Sequence, residues 1–230
     1  MPSLIKTLHF LFSALVTAIS VGLLGFAMST KWAYTFMECA ASNSDQFNGT
    51  AEIEMDLFDG SLKRESCPSF GNQENFKVFP KLEATGAAPL ALHVLTVGLL
   101  ALCLLFSAIS ILVSLYNSVS NPYQTYLGPV GVYTCSSLSA CLSVVVLIIF
   151  VLNLNVTSMP EELVKTSSNL PVNLRNKSSV MQVGYFLVIP YTVFSLGAVL
   201  IIYMYDHAAY TQRREQERPT EDAPKEIMMY

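Results

Sequence analysis

The sequence predicts an all-α membrane protein, a bundle of four transmembrane helices carrying a small extracellular antiparallel β-sheet. Three observations predict it. The 230-residue chain is 52% hydrophobic and only 13% charged, against about 25% charged in a soluble domain. The missing charge is concentrated, for Asp, Glu, Lys and Arg are absent from Thr7–Thr30, Ala84–Pro160 and Ser178–Tyr205. One crossing takes about 20 apolar residues, so each outer block holds one span and the middle block two. Finally, the polar stretch between the first two blocks alternates with period two, the pattern of strands. A soluble helical bundle would need polar faces at helical spacing, and none of the blocks shows one.

Residues 1–6 form a stub and residues 7–30 the first span. Lys6 could serve as the basic flank of a cleaved signal, but the apolar run exceeds the roughly 7–15 residues of a signal core, so it reads as a retained signal-anchor. Gly22 and Gly25 would admit a close neighbour, although their spacing is not GxxxG.

Residues 31–86 are the long polar loop. Trp32, Tyr34 and Phe36 alternate with Ala33, Thr35 and Met37 up to Cys39. In Ala51–Phe58, Ile53, Met55 and Leu57 alternate with Glu52, Glu54 and Asp56. Asp59-Gly60 is then expected to be a type I′ hairpin turn, with Ser61–Cys67 returning as the partner strand. Phe76–Phe79 reads as a last short strand stopped by Pro80. Cys39 and Cys67 are the natural disulfide pair if this loop faces an oxidising compartment. Their bridge would close a loop worth about 3–4 kcal/mol in the chain-entropy picture.

Residues 87–116 are the second span, with Pro89 tolerated near its start and His93 read as an interfacial histidine bonded to a neighbour. Residues 117–126 are a tight uncharged turn, because Asn121-Pro122 and Gly128-Pro129 break helices where the chain must fold back. Residues 127–153 are the third span. Its first half, with Ser136, Ser137, Ser139, Ala140, Cys141 and Ser143, is narrow and expected to face protein; Val144–Leu152 is expected to face lipid. Cys103, Cys135 and Cys141 read as small packing residues.

Residues 154–177 form a shorter polar loop, in which Met159-Pro160-Glu161-Glu162-Leu163 suggests a brief helical turn. Residues 178–205 are the fourth span, kinked near Pro190, with tyrosines 185, 191, 203 and 205 including interface residues. Residues 206–230 are a polar tail of mixed charge.

Sequons orient the chain better than its scattered basic residues do. Asn48-Gly49-Thr50, Asn155-Val156-Thr157 and Asn176-Lys177-Ser178 fit N-x-[ST] and fall in two loops on one side. With Cys39 and Cys67, they place both loops outside and both termini in the cytoplasm.

No HExxH, GxSxG, Walker A or GxGxxG pattern occurs, and the spans hold no carboxylate. His9, His93 and His207 are too scattered for a metal site. No enzyme activity, cofactor or metal is expected. A net charge of −4 without a basic stripe does not suggest a nucleic-acid partner.

Tyr116-Asn117, Asn121-Pro122-Tyr123-Gln124-Thr125, Leu127-Gly128-Pro129 and Gly131-Val132-Tyr133 together resemble the clarins, four-span membrane proteins related to the claudins. Trp32 after the first span and Asp56-Leu57-Phe58-Asp59-Gly60 are also clarin-like, although the family's usual Tyr-Gly is Met55-Asp56 here. Cys67-Pro68-Ser69-Phe70 replaces the family's Cys-Gly-Leu-Gly. The Arg218-Pro219…Ala223-Pro224 tail is most similar to the third paralogue. The resemblance implies a left-handed claudin-like bundle in the plasma membrane and a non-enzymatic role organising membrane–cytoskeleton contacts, linked by analogy to hair cells, photoreceptors and the perception of sound and light.

The expected partners are the lipid bilayer, other membrane proteins, and a PDZ scaffold or cytoskeletal adaptor gripping Met228 and Tyr230, which fit a class II PDZ ligand. Self-association into a homo-oligomer fits as well. The alternative function is an auxiliary subunit of a channel or mechanotransduction complex. A pore in its own right would have only His93 and the serines to line it.

Overall fold

The structure, a computed structural model, describes residues 4–41, 48–67, 73–119, 128–168 and 171–217. Four long helices, α1 (Leu4–Met28), α3 (Ala87–Val119), α4 (Pro129–Asn155) and α6 (Val183–Glu217), form the bundle. All four are long and apolar enough to cross a membrane. Around the ring, α1 neighbours α3 and α6, and α4 neighbours the same two helices.

The helices pack through a seven-residue repeat. Buried positions on α3 run His93, Thr96, Leu100, Cys103, Ser107, Ser110, Ser114, Asn117. On α4 they run Val132, Ser136, Ser139, Ser143, Val146, Phe150, Asn153, and on α1 Lys6, Phe10, Ser13, Thr17, Ser20, Leu24, Ala27. Alternating steps of three and four residues average 3.5, the period of a left-handed supercoil. Small and hydroxyl residues fill much of this seam, so the helices approach closely. The seam runs the full length of α4. Ser136, Ser139, Ala140 and Ser143 are buried as expected, but so are Val146 and Phe150. The predicted division of this helix into a protein-facing and a lipid-facing half is therefore corrected. Each half turns one face inward, while Val144, Val145, Ile148 and Leu152 point outward.

At one end of the bundle sits a five-stranded antiparallel sheet: β1 (Ala33–Ala41), β2 (Gly49–Met55), β3 (Asp59–Glu65), β4 (Glu74–Lys77) and β5 (Val172–Met181), in the order β4-β3-β2-β1-β5. Ala33, Thr35, Met37 and Cys39 of β1 and Ala51, Ile53 and Met55 of β2 face inward. They share one core with Val78 and Leu82 of α2 (Val78–Thr85), with Met159, Leu163 and Val164 of α5 (Met159–Ser167), and with Leu24, Leu100 and Phe150 of the bundle. Sheet and bundle are thus one packed body.

The structure corrects several local expectations. Asp59-Gly60 is not the turn. Met55 pairs with Gly60, and the loop is Asp56–Asp59, closed by the Asp56 N–H donating to the Asp59 carbonyl at 2.8 Å. Gly60 instead packs against the Phe76 ring, from which a Cβ there would stand 2.7 Å. The last strand ends at Lys77, and Phe79 and Pro80 belong to α2. Pro80 sits in the first turn, where its missing N–H would have no intrahelical partner anyway.

The second polar loop supplies β5, and residues 178–181 belong to this strand rather than to the fourth span, whose helix begins at Val183. The second and third spans also shift: α3 runs on to Val119, taking in residues 117–119 of the expected turn, and α4 extends from Pro129 to Asn155. The first helix begins at Leu4 and ends at Met28. The fourth helix holds Pro190 within its length and continues to Glu217, well into the expected tail. Asn121, Pro122 and Tyr123 of the turn, and Met228 and Tyr230 of the tail, lie outside the described residues. Gly128, Pro129 and Gly131 open α4, with Pro129 at the helix start and the Gly131 N–H bonded to the Gly128 carbonyl.

Candidate functional site

Trp32 joins the two halves of the molecule. Leaving α1, the chain enters β1 at this residue, whose N–H donates to the Met55 carbonyl (2.8 Å) and whose carbonyl accepts from the Gln182 N–H (2.9 Å). The indole is wholly buried, its Nε1–H capping the Ala27 carbonyl at the end of α1 (2.8 Å). Phe150 of α4 meets it edge-on at 5.0 Å, and Tyr185 of α6 at 6.4 Å. An aromatic there supplies area and orientation together. The indole thereby touches or bonds α1, α4 and α6, while the backbone of the same residue bonds the sheet.

A second tie joins α3 to the sheet end of the molecule. His93, buried in α3, donates from Nε2 to the Leu57 carbonyl at 2.8 Å, and the Phe79 ring meets its edge at 5.3 Å. The histidine bonds a neighbour as the sequence suggested. Asn153 of α4 donates to the Pro89 carbonyl (3.2 Å), an anchor that the sequence reading missed. A lone amide near the end of an apolar run was the available signal. Lys177 on β5 reaches the Leu154 carbonyl (2.8 Å) and Glu161 (3.5 Å), and Arg64 on β3 reaches the Ser167 carbonyl (3.1 Å). Lys177 thus ties β5 to the end of α4 and to α5, and Arg64 ties β3 to the end of α5.

The Cys39 and Cys67 sulfurs are bonded, with Cα atoms 5.7 Å apart, well within ordinary disulfide range. Gly49 lies against this bridge, where a Cβ would meet the Ser66 carbonyl oxygen at 2.3 Å.

The three sequon asparagines are exposed at the sheet end of the molecule: Asn48 just before β2, Asn155 closing α4, and Asn176 in β5. Asn176 adopts a left-handed backbone (φ 52°) where the β1–β5 register slips between Phe36 and Glu38. Its side-chain amide donates to Glu38 (2.8 Å). Asparagine tolerates this conformation better than most residues.

The outer face of the sheet mixes aromatic and acidic groups. Tyr34 lies opposite Glu54 and Val180, and Phe36 opposite Glu52 and Ser178. Partial burial, then the Glu52 and Glu54 carboxylates, push the Tyr34 hydroxyl up. Lower on this face, Lys31, Glu54, Asp56, Asp59, Asn75 and Lys77 surround a crevice of about 420 Å³. Lys31 pairs with Glu54, and Lys77 with Asp59. Burial, only partly offset by Lys31, pushes the Asp56 carboxyl up.

Inside the bundle the hydroxyls bond across helices. Ser107 and Tyr191 share a hydrogen bond (2.8 Å), as do Ser110 and Ser136 (2.8 Å) and Ser143 and Thr192 (2.7 Å). The Tyr191 hydroxyl lies 3.2 Å from the Cys103 carbonyl. These bonds link α3, α4 and α6 in pairs. Among the described residues no group of three His, Cys, Asp or Glu side chains could hold a metal ion.

Comparison with known proteins agrees with this architecture. A family model described as "Clarin-2-like" (Clarin-2) matches residues 5–170. The chain is 34% identical to Clarin-3 of Mus musculus and 33% identical to Clarin-3 of Homo sapiens, in both cases over the whole of each chain. It is 27% identical to Clarin-1 of Homo sapiens over 52% of this chain and 49% of that one. Four membrane helices, the tryptophan-centred junction and this likeness along the full length lead to one conclusion: the chain belongs to the clarin family of tetraspan membrane proteins.

Proposed function

We propose that this clarin family member is a non-enzymatic organiser of membrane contacts, resident in the plasma membrane with its sheet outside and both termini in the cytoplasm. The observation that carries the reading is the single core running from sheet to bundle through Trp32. A sheet fixed in this way holds its outer face at a constant angle to the bilayer, which a contact surface needs. The half-buried Tyr34 and Phe36 and the exposed Val180, among carboxylates, give that face mixed apolar and polar character, as interfaces have.

The exposed sequons at the sheet end support the outward orientation, and glycans on Asn48, Asn155 and Asn176 would ring the sheet. Inside the cell, the terminal Met228-Met229-Tyr230 offers a carboxylate and two apolar side chains to a PDZ groove. Such a scaffold would couple the outer sheet to the cytoskeleton, and a role in sensory cells follows by family analogy alone. No carboxylate lies within the spans to serve a pore as an ion-binding group.

A pull-down with the last eight residues tests the adaptor. Recovery of a PDZ scaffold that is lost with Tyr230→Ala supports the reading; equal recovery with that variant refutes it. An epitope inserted beside Gln124 tests the orientation. Antibody staining only after permeabilisation is expected, and staining of intact cells would reverse it.

A further inference from the structure

We infer that the groove between α1 and α3, at the end of the bundle away from the sheet, is a sterol site. The groove is a cavity of about 560 Å³ bounded only by apolar side chains. Leu8, Phe12 and Leu15 of α1 form one wall, and Ile111 and Leu115 of α3 the other. Ala14 and Ala18 also line it, and because neither side chain extends beyond Cβ they leave room there for a flat ligand face. From Leu8 to Ala18 the groove runs about 15 Å along the helix, roughly the hydrocarbon depth of one leaflet.

One residue beyond Leu8, the same two helices meet through polar groups. The Thr7 hydroxyl donates to the Ser118 carbonyl (3.1 Å) and the Ser118 hydroxyl to the Leu115 carbonyl (2.8 Å). The half-buried Thr7 hydroxyl spends its proton on a carbonyl, so its lone pairs stay available to accept from an incoming O–H. A ligand matching this outline is flat, rigid and apolar for one leaflet, with a single hydroxyl at the membrane surface. That is a sterol with its hydroxyl at the Thr7–Ser118 lip. An acyl chain could enter the groove, but it would lose more conformational freedom in doing so and has no hydroxyl for the lip.

The test uses the full-length protein in lipid nanodiscs with a photoreactive cholesterol analogue and peptide mapping of the label. Label is expected on residues 8–18 and 111–115, competed by excess cholesterol and more weakly by its 3-hydroxyl epimer. Ala18→Phe fills the groove from an outward-facing position and should cut the labelling roughly tenfold. Ile111→Trp should do the same from the other wall, and an intact Cys39–Cys67 bridge with unchanged elution confirms that both variants fold. Labelling unchanged in both folded variants would overturn the site. So would equal competition by phosphatidylcholine, which would assign the groove to acyl chains.

Discussion

Trp32 lies so close to Gly184 that a Cβ on residue 184 would stand 2.6 Å from the indole Cδ1 and 2.9 Å from the Ala27 carbonyl oxygen. The glycine is therefore a packing requirement. It lets α6 start directly against the indole while its own N–H donates to the Lys31 carbonyl (2.8 Å). Gly184→Ala must displace either the tryptophan or the start of α6. Overpacking of this kind costs about 1–3 kcal/mol. Thermal unfolding in detergent should show a clear loss of stability, whereas Gly22→Ala and Gly98→Ala, with open space around each Cβ, should leave it nearly unchanged.

Asp56 gives a pH-dependent prediction. Its folded carboxyl is raised, first by burial, so the sign runs against the usual carboxylate. The stability it contributes is fully present below the unfolded value of about 3.9 and is lost as pH rises through the folded value. At neutral pH the charged form is a liability. Asp56→Asn should raise the unfolding temperature at pH 7, and the gain should shrink to nothing as pH falls below about 4. A gain that grows on acidification would contradict the assignment.

Tyr191→Phe removes the hydroxyl that meets Ser107 and the Cys103 carbonyl in the middle of the bundle. Side-chain hydrogen bonds between membrane helices are worth about 0.6–2 kcal/mol, so a small but measurable fall in unfolding temperature is expected. Ser107→Ala in the Tyr191→Phe background should cost less than it does alone, because the bond is already gone. Equal costs would show that the two residues act independently.

The spans were legible because charge is excluded from hydrocarbon over whole blocks, and β1 and β2 because Thr35, Met37, Ile53 and Met55 keep strict alternation. The fifth strand was not, because its phase slips at Asn176. Val172 and Leu174 set one alternation, and the register resumes at Ser178 after the bulge. A period-two search breaks there, and Arg175, Asn176 and Lys177 then look like loop. The bundle seam was hidden differently. Its heptad is written in Ser, Thr, Ala and Cys, which a hydropathy scale barely separates from their neighbours, although steps of three and four were there to be counted in Ser107, Ser110, Ser114 and Asn117. Pro80 was read as a stop and proved to be a helix start, a choice that depends on which side of the proline the packing lies. The Trp32–Gly184 contact joins residues far apart in sequence, and no local pattern reports it.

The two polar loops merge into one sheet at one end of the bundle. Thr35 of the first loop and Ser179 of the second face each other in register, their hydroxyl oxygens 3.0 Å apart. A double variant, Thr35→Cys with Ser179→Cys, tests this most directly, with a protease site placed in the turn near Gln124 and mapping of the linked peptides. After cleavage the two halves are expected to run as one species without reductant and to separate with it, while each single variant separates in both conditions. Halves that separate without reductant in the folded double variant would contradict the shared sheet, and with it the fixed outer face on which the proposed function depends.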